Sequence, residues 1–134
     1  AVQWLAQSFQ KRTGIATSFH ATFEQFSASK AIQLVAYRTA QEALTNISKH
    51  AECSAVSIEL TDGEGVLTLE VTDNGRGLNK AQLDKPKAFG LRGLHERAKT
   101  VGGWLDISNR GGVGTSIILS VPLHADANTP ESPP

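Results

Sequence analysis

The chain predicts a two-layer α/β sandwich, in which about three helices cover one face of a mixed, mostly antiparallel sheet. Adjacent predicted strands are joined by tight turns, such as Asp62-Gly63-Glu64-Gly65, and tight turns connect antiparallel neighbours. This pattern disfavours a doubly wound parallel fold. The length of 134 residues suits one domain with its own hydrophobic core.

The composition is that of an ordinary globular protein, with 40% hydrophobic and 19% charged residues. Lys and Arg total 13 and Asp and Glu total 13, so we expect no broad surface for nucleic acid or anionic membrane. Cys53 is the single cysteine, which excludes an intramolecular disulfide and fits a reducing compartment. No apolar run approaches the roughly 20 residues that cross a bilayer. The chain lacks Met, and we expect a piece of a longer protein, the alternative being a small protein without its initiator.

Apolar residues recur at helical spacing over residues 2–9 and alternate over residues 15–21, which predicts a helix and then an edge strand. A polar connector leads to a long helix that ends at about Ala51, and Ser27 or Ser29 caps its beginning.

The second half of the chain predicts four more strands and one more helix. In order, these are a strand at 56–60, its hairpin partner at 66–73, a loop at 74–90, a helix at 91–101 closed by Gly102-Gly103, a strand around Leu105 and Ile107, and a last strand at 115–121. Residues 1–123 form the predicted domain. Residues 124–134 are rich in Pro, Asn, Ser and Thr and predict a disordered tail.

Asp73 ends a strand whose alternating side chains share one face with it. The neighbours on that face are Leu67, Leu69 and Val71. A carboxylate that faces a core needs a partner that offsets its desolvation, and none is evident nearby in the sequence. A ligand that donates hydrogen bonds is therefore a natural candidate. Gly75 and Gly77 allow the backbone to turn sharply and approach such a ligand.

Four polar residues of the long helix form a second candidate feature. Glu42, Asn46, Lys49 and His50 occupy an arc of roughly 100° at 100° per residue. This arc overlaps the edge of the apolar stripe, whereas a solvated face lies opposite the core. The stripe consists of Ile32, Ala36, Ala43 and Ile47. Either an internally paired polar patch or a binding site explains this arrangement.

Two glycine-rich segments complete the pattern. Thr115 follows a turn that ends at Gly114 and joins the apolar face of the last strand, which repeats the pattern at Asp73. The run Gly90-Leu91-Arg92-Gly93-Leu94 opens a helix, whose N-terminal N–H groups and dipole suit phosphate. An ordinary loop with glycines at the helix start is the alternative for this run.

These pieces, in this order, resemble the ATP-binding domain of sensor histidine kinases. The wider superfamily includes type II topoisomerase, mismatch-repair and heat-shock chaperone ATPases. The similar segments are residues 41–51 (N box), 73–77 (G1 box), 90–94 (G2 box) and 112–115 (final glycine box). The resemblance covers roughly residues 30–123. The first 15 residues and the run Gly90–Arg97 are similar to the subgroup of nitrate and membrane-fluidity sensors.

The resemblance implies a role for each matching residue. Asp73 would accept a hydrogen bond from the exocyclic amine of adenine, and Thr115 would support the same edge. Asn46 would bind Mg²⁺, with Glu42 near the metal or the attacking group. Lys49 and His50 would contact phosphate.

Main-chain and lid contacts to the nucleotide are implied for the glycine boxes. The residues concerned are Gly75, Gly77, Gly90, Leu91, Arg92, Gly93, Leu94 and Gly114. The loop that covers the nucleotide, called the lid, would take its backbone freedom from Gly75, Gly77, Gly90 and Gly93.

The family phosphorylates a histidine on a separate helical dimerisation domain. His20, His50, His95 and His124 lie in no matching acceptor motif, so that domain would precede residue 1. The resemblance implies a monomeric chain that binds ATP but does not phosphorylate itself, and a homodimeric full-length protein, cytoplasmic or membrane-anchored. A response regulator with DNA-binding output would be its partner, without direct contact to nucleic acid. A related ATPase, an anti-sigma serine kinase and a non-catalytic nucleotide-binding docking module are the alternatives.

Overall fold

The computed structural model describes residues 2–22, 28–50, 52–75, 91–109 and 114–123. In these ranges it contains α1 (Val2–Thr13), β1 (Ala16–Ala21), α2 (Lys30–His50), β2 (Ala55–Gly63), β3 (Val66–Asp73), α3 (Leu91–Thr100), β4 (Trp104–Asn109) and β5 (Thr115–Pro122). Four predicted segments lie outside the described residues: the polar connector over 23–27 with the alternative cap Ser27, most of the 74–90 loop, most of the glycine turn before Gly114, and the tail over 124–134.

The five strands form one sheet in the order β1-β2-β3-β5-β4. Strands β1 and β2 are parallel, and every other neighbouring pair is antiparallel. The single parallel pair arises because α2 connects β1 to β2 as a crossover, which tight turns cannot do. The predicted mixed, mostly antiparallel sheet with an edge strand at β1 is confirmed.

The β2–β3 hairpin closes through a two-residue loop, Glu64-Gly65, with Gly63 paired to Val66. Both loop residues have positive φ, 56° and 77°, which defines a type I′ turn. This turn matches the right-handed twist of the strands and therefore holds their register. The register places Val56 directly opposite Asp73.

The three helices pack together over one face of the sheet, with α2 between α1 and α3 and in contact with β3 and β5. Ser29 caps α2, since its Oγ accepts a hydrogen bond of 3.2 Å from the Ile32 N–H. The largest fully buried side chains form the layer between helices and sheet: Phe9, Ile32, Ile58, Leu67, Leu69, Leu94 and Leu119. No helix in the described ranges is long and apolar enough to span a membrane.

The end of α3 fixes how this helix sits on β5. The Gly103 N–H bonds the Ala98 carbonyl at 2.9 Å and the Gly102 N–H bonds the Lys99 carbonyl at 3.1 Å, which together form a Schellman motif. A Cβ on Gly103 would lie 2.5 Å from the Ser120 carbonyl oxygen, so the glycine permits this close packing. The predicted helix stop is confirmed.

Candidate functional site

The end of β3 and the beginning of β5 meet at one edge of the sheet and bring Asp73 beside Thr115. The two strands pair as far as Thr72 and Ser116, and Asp73 and Thr115 are the next residues along. Asp73 is 3% exposed and Thr115 is 7% exposed. Both polar side chains therefore lie on the buried face, as the alternation of the strands predicted.

A main-chain hydrogen bond orients the buried carboxylate. The Gly75 N–H donates to Asp73 Oδ1 at 2.8 Å, and this bond is local, closing over two residues. The sequence indicated no neighbouring partner for Asp73, and the structure corrects that expectation. A carboxylate can accept about four hydrogen bonds, so the Gly75 bond is compatible with recognition of a ligand donor.

Gly114 packs directly on the Asp73–Asn74 peptide. A Cβ at this position would collide with the Asp73 carbonyl oxygen and come within 2.8 Å of the Asp73 carbonyl carbon and 3.1 Å of the Asn74 Cα. Its φ of 127° is also one that side-chain-bearing residues rarely adopt. Only glycine fits here, and its contact helps to set the position of Asp73.

Asn74 ties the Asp73 turn to the beginning of β2. Its Oδ1 accepts hydrogen bonds from the Ser54 and Ala55 N–H groups, each at 3.0 Å, and its Nδ2 donates to Ser54 Oγ at 3.1 Å. Its own N–H donates to the Ala55 carbonyl at 3.2 Å. Sequence reasoning assigned Asn74 no role. Gly75 and Gly77 indicated a sharp turn after Asp73, but partners of Asn74 about 20 positions away could not be deduced from it.

Two of the four residues of the polar arc of α2 border the core, whereas the prediction placed the whole arc there. The apolar stripe is buried, Glu42 and Asn46 are half-buried beside it, and Lys49 is exposed. Glu42 and Asn46 are four residues apart, so they lie on the same side of the helix about 6 Å apart along its axis. His50 is the last residue of α2, and its side chain lies outside the described part of the structure.

The predicted phosphate-binding segment is described in part. Leu91 and Arg92 open α3, but their side chains lie outside the described residues, as do Gly77 and Gly90. Gly93 lies in the first turn of the helix and is half-buried. The Leu94 side chain is fully buried in the core, so only its main chain could serve a nucleotide. The roles of these residues remain predictions.

Cys53 is a residue near the site that sequence reasoning did not connect with Asp73. Its thiol is half-buried. Burial raises the pKa of this thiol, and the negative charge of Asp73 raises the pKa further. Cys53 is therefore a neutral thiol at pH 7.

This combination of a helix-covered mixed sheet and a buried carboxylate beside a glycine turn matches a known family. Residues 31–125 match the sequence profile of the HATPase_c family, described as histidine kinase-, DNA gyrase B-, and HSP90-like ATPase. The chain belongs to this family. The match includes all four segments on which the resemblance was based.

Two curated relatives are histidine kinases. The chain is 34% identical over 117 residues to the oxygen sensor histidine kinase NreB of Staphylococcus carnosus (strain TM300), covering 87% of the chain and 34% of NreB. It is 32% identical over 117 residues to the signal transduction histidine-protein kinase/phosphatase DegS of Brevibacillus brevis, covering 87% of the chain and 30% of DegS. The chain thus spans about a third of the length of these relatives.

Solved structures share the fold. The histidine kinase domain of a blue-light activated histidine kinase from Erythrobacter litoralis EL346 superposes with a TM-score of 0.75 at 23% identity, covering 92% of this chain and 60% of that one. The catalytic domain of the histidine kinase ThkA superposes with a TM-score of 0.66 at 17% identity, covering 91% and 88%. The predicted fold class is confirmed.

Proposed function

We propose that this chain is the ATP- and Mg²⁺-binding catalytic domain of a sensor histidine kinase. It supplies the γ-phosphoryl group of ATP to a histidine on a dimerisation domain outside the chain. The observation that carries the proposal is the buried Asp73 carboxylate, oriented by the Gly75 N–H and packed against Gly114. A buried, oriented acceptor of this kind suits recognition of a donor group on a ligand.

At the base end of the site, Asp73 accepts a hydrogen bond from the exocyclic amine of adenine, and Thr115 supports the same edge. Guanine carries an acceptor at the matching position, which a carboxylate repels. Sites built around a ligand N–H reject analogues that lack it, because the buried acceptor is then left unpaired. The burial of Asp73 supports a strong preference for adenine.

At the phosphate end, the half-buried amide of Asn46 and carboxylate of Glu42 offer oxygen ligands one helical turn apart. They fit Mg²⁺, which typically takes one or two protein oxygens and binds substrate phosphates as well. When bound, the ion would neutralise phosphate charge. Lys49 and His50 contact phosphate, and the main-chain N–H groups at the start of α3 provide further donors.

This chain contributes positioning and electrostatics to phosphoryl transfer, which needs little covalent chemistry from the protein. The acceptor histidine belongs to a dimerisation domain of the same, homodimeric protein. A cytoplasmic response regulator with DNA-binding output receives the phosphoryl group. The names of the two relatives, both histidine kinases, support the assignment of histidine kinase activity to the full-length protein.

Calorimetry with ATP and GTP, with and without Mg²⁺, tests the nucleotide site. Asp73→Ala removes a charged hydrogen-bond acceptor worth about 1.5–3 kcal/mol, so ATP affinity should fall by about 10- to 150-fold. Asp73→Asn keeps an acceptor for the Gly75 N–H but adds a donor. It should therefore reduce the difference between the affinities for ATP and GTP. Asp62→Ala, which removes an exposed carboxylate at the far end of β2, is the matched control and should bind normally. Equal binding of ATP and GTP by the wild type would contradict the proposed role of Asp73.

Phosphotransfer to the dimerisation domain of the same full-length protein tests the activity. With ATP labelled in the γ-phosphate, acid-labile label should appear on that domain, and Asn46→Ala should abolish it. Label on serine would favour a serine kinase of the same family. Tight ATP binding without any label would favour a non-catalytic docking module.

A further inference from the structure

We propose that Asn74 is a positioning residue that sets the distance between the two ends of the nucleotide site. The inference rests on the proposed function, because it assigns the base end to Asp73 and the phosphate end to α2. Asn74 lies immediately after Asp73 in sequence. Its side chain holds the segment that leaves α2, so one residue connects both ends.

The physical basis is a set of three side-chain hydrogen bonds that converge on two residues. Ser54 and Ala55 donate their N–H groups to Asn74 Oδ1, and Asn74 Nδ2 donates to Ser54 Oγ. The amide uses both its acceptor and its donor group here, which fixes its orientation. A fourth bond, from the Asn74 N–H to the Ala55 carbonyl, extends the β2–β3 pairing beyond Val56 and Asp73.

The segment held by Asn74 is the short connection between α2 and β2. Helix α2 ends at His50 and β2 begins at Ala55, so four residues join them. Glu52 in this connection has a φ of 52°, a left-handed conformation that a non-glycine residue adopts only when its surroundings favour it. The Ser54 carbonyl also accepts a bond of 3.2 Å from the Ala16 N–H. Without the three side-chain bonds of Asn74, only the main-chain bond from its N–H to the Ala55 carbonyl still ties this connection to the Asp73 turn.

A displaced α2 would weaken the simultaneous contact of adenine with Asp73 and of phosphate with Asn46 and Lys49. Sites of this kind need their groups held within about 0.5 Å of the productive geometry. Asn74→Ala should therefore weaken ATP binding by about tenfold, which corresponds to 1.4 kcal/mol. It should also reduce the preference for ATP over inosine triphosphate by a similar factor, since that analogue differs in the group that Asp73 reads.

Three companion variants separate positioning from a general loss of stability. Ser54→Ala removes the Nδ2–Oγ bond, and Asn74→Asp replaces the Nδ2 donor with an oxygen to which the Ser54 hydroxyl can donate. Both variants keep an acceptor for the two N–H groups, so the ATP-to-inosine-triphosphate affinity ratio should stay within about threefold of the wild-type ratio. Ile32→Val trims a fully buried side chain at the start of α2, about 20 Å along the helix from Asn46. It should lower the melting temperature and leave the ratio unchanged.

The experiment combines calorimetry with both nucleotides and amide hydrogen exchange on the same variants. In Asn74→Ala, the Ser54 and Ala55 amides should exchange faster, while the centre of β2 around Ile58 stays protected. Unchanged exchange at those amides would show that the Asn74 side chain does not hold Ser54 and Ala55. Faster exchange with a wild-type nucleotide ratio, or unfolding of Asn74→Ala while Ile32→Val stays folded, would overturn the positioning role. A wild-type chain that binds no ATP would overturn the proposed function. The exchange data would still decide whether the Asn74 side chain holds Ser54 and Ala55.

Discussion

Gly114→Ala should lower both the stability of the fold and the affinity for ATP, and one close contact explains both effects. The new Cβ would collide with the Asp73 carbonyl oxygen and lie 2.8 Å from the carbonyl carbon. Because main-chain atoms cannot rotate away as a flexible side chain does, either the Asp73–Asn74 peptide or the beginning of β5 must move. The substitution therefore displaces the Asp73 carboxylate, although it replaces no side chain that contacts the nucleotide.

The magnitude follows from two contributions. A non-glycine residue held at a φ of 127° costs about 1–3 kcal/mol, and the collision adds to this cost. At about 2.1 cal/mol/K per residue, the 134-residue chain has an unfolding entropy of about 0.28 kcal/mol/K, so the melting temperature should fall by at least about 4–11 °C. Displacement of Asp73 should weaken ATP binding by about tenfold or more.

Thermal unfolding and ATP calorimetry measure the two effects separately, and Gly103→Ala is the control. Its Cβ would lie 2.5 Å from the Ser120 carbonyl oxygen and 2.9 Å from Val121 Cγ2, at the far end of β5 from Thr115. It should therefore destabilise the fold, and its folded fraction should lose less ATP affinity than Gly114→Ala, because Gly103 does not touch the Asp73 peptide. The reasoning is refuted if Gly114→Ala is as stable as the wild type, or if its ATP affinity matches that of Gly103→Ala.

Three further substitutions test the packing and electrostatics. Thr39 is fully buried, and its hydroxyl has no hydrogen-bond partner within the described part of the protein, so Thr39→Val should raise the free energy of unfolding by about 1–3 kcal/mol; a lower urea midpoint would contradict this. Glu59 lies directly opposite Glu70 on neighbouring strands, so Glu59→Lys should stabilise by about 0.2–1 kcal/mol in low salt and less in 1 M salt; a salt-independent change would argue against a charge effect. Burial and, to a smaller extent, the charge of Asp73 raise the pKa of Cys53, so its alkylation by iodoacetamide should begin at higher pH than that of a free cysteine. Asp73→Asn should move the onset of alkylation to lower pH. Identical pH profiles for the variant and the wild type would exclude an effect of the Asp73 charge on Cys53.

Local periodicity predicted much of this molecule because burial of a strand or helix residue depends on its position in the repeat. Alternation in β3 and β5 placed Asp73 and Thr115 on the apolar face, and both are buried. Helical spacing placed Glu42 and Asn46 at the rim of the core, and both are half-buried. The family resemblance rested on the same segments.

The sequence by itself determined the elements, their inner faces and the residue types available for a nucleotide site, because these follow from short-range periodicity and turn chemistry. Only the tertiary structure decided that β3 pairs with β5, that Gly114 packs on the Asp73 peptide, and that Asn74 holds Ser54 and Ala55. These contacts join residues about 20 or more positions apart. Their partners are chosen by the packing of the whole sheet, to which no local pattern is sensitive.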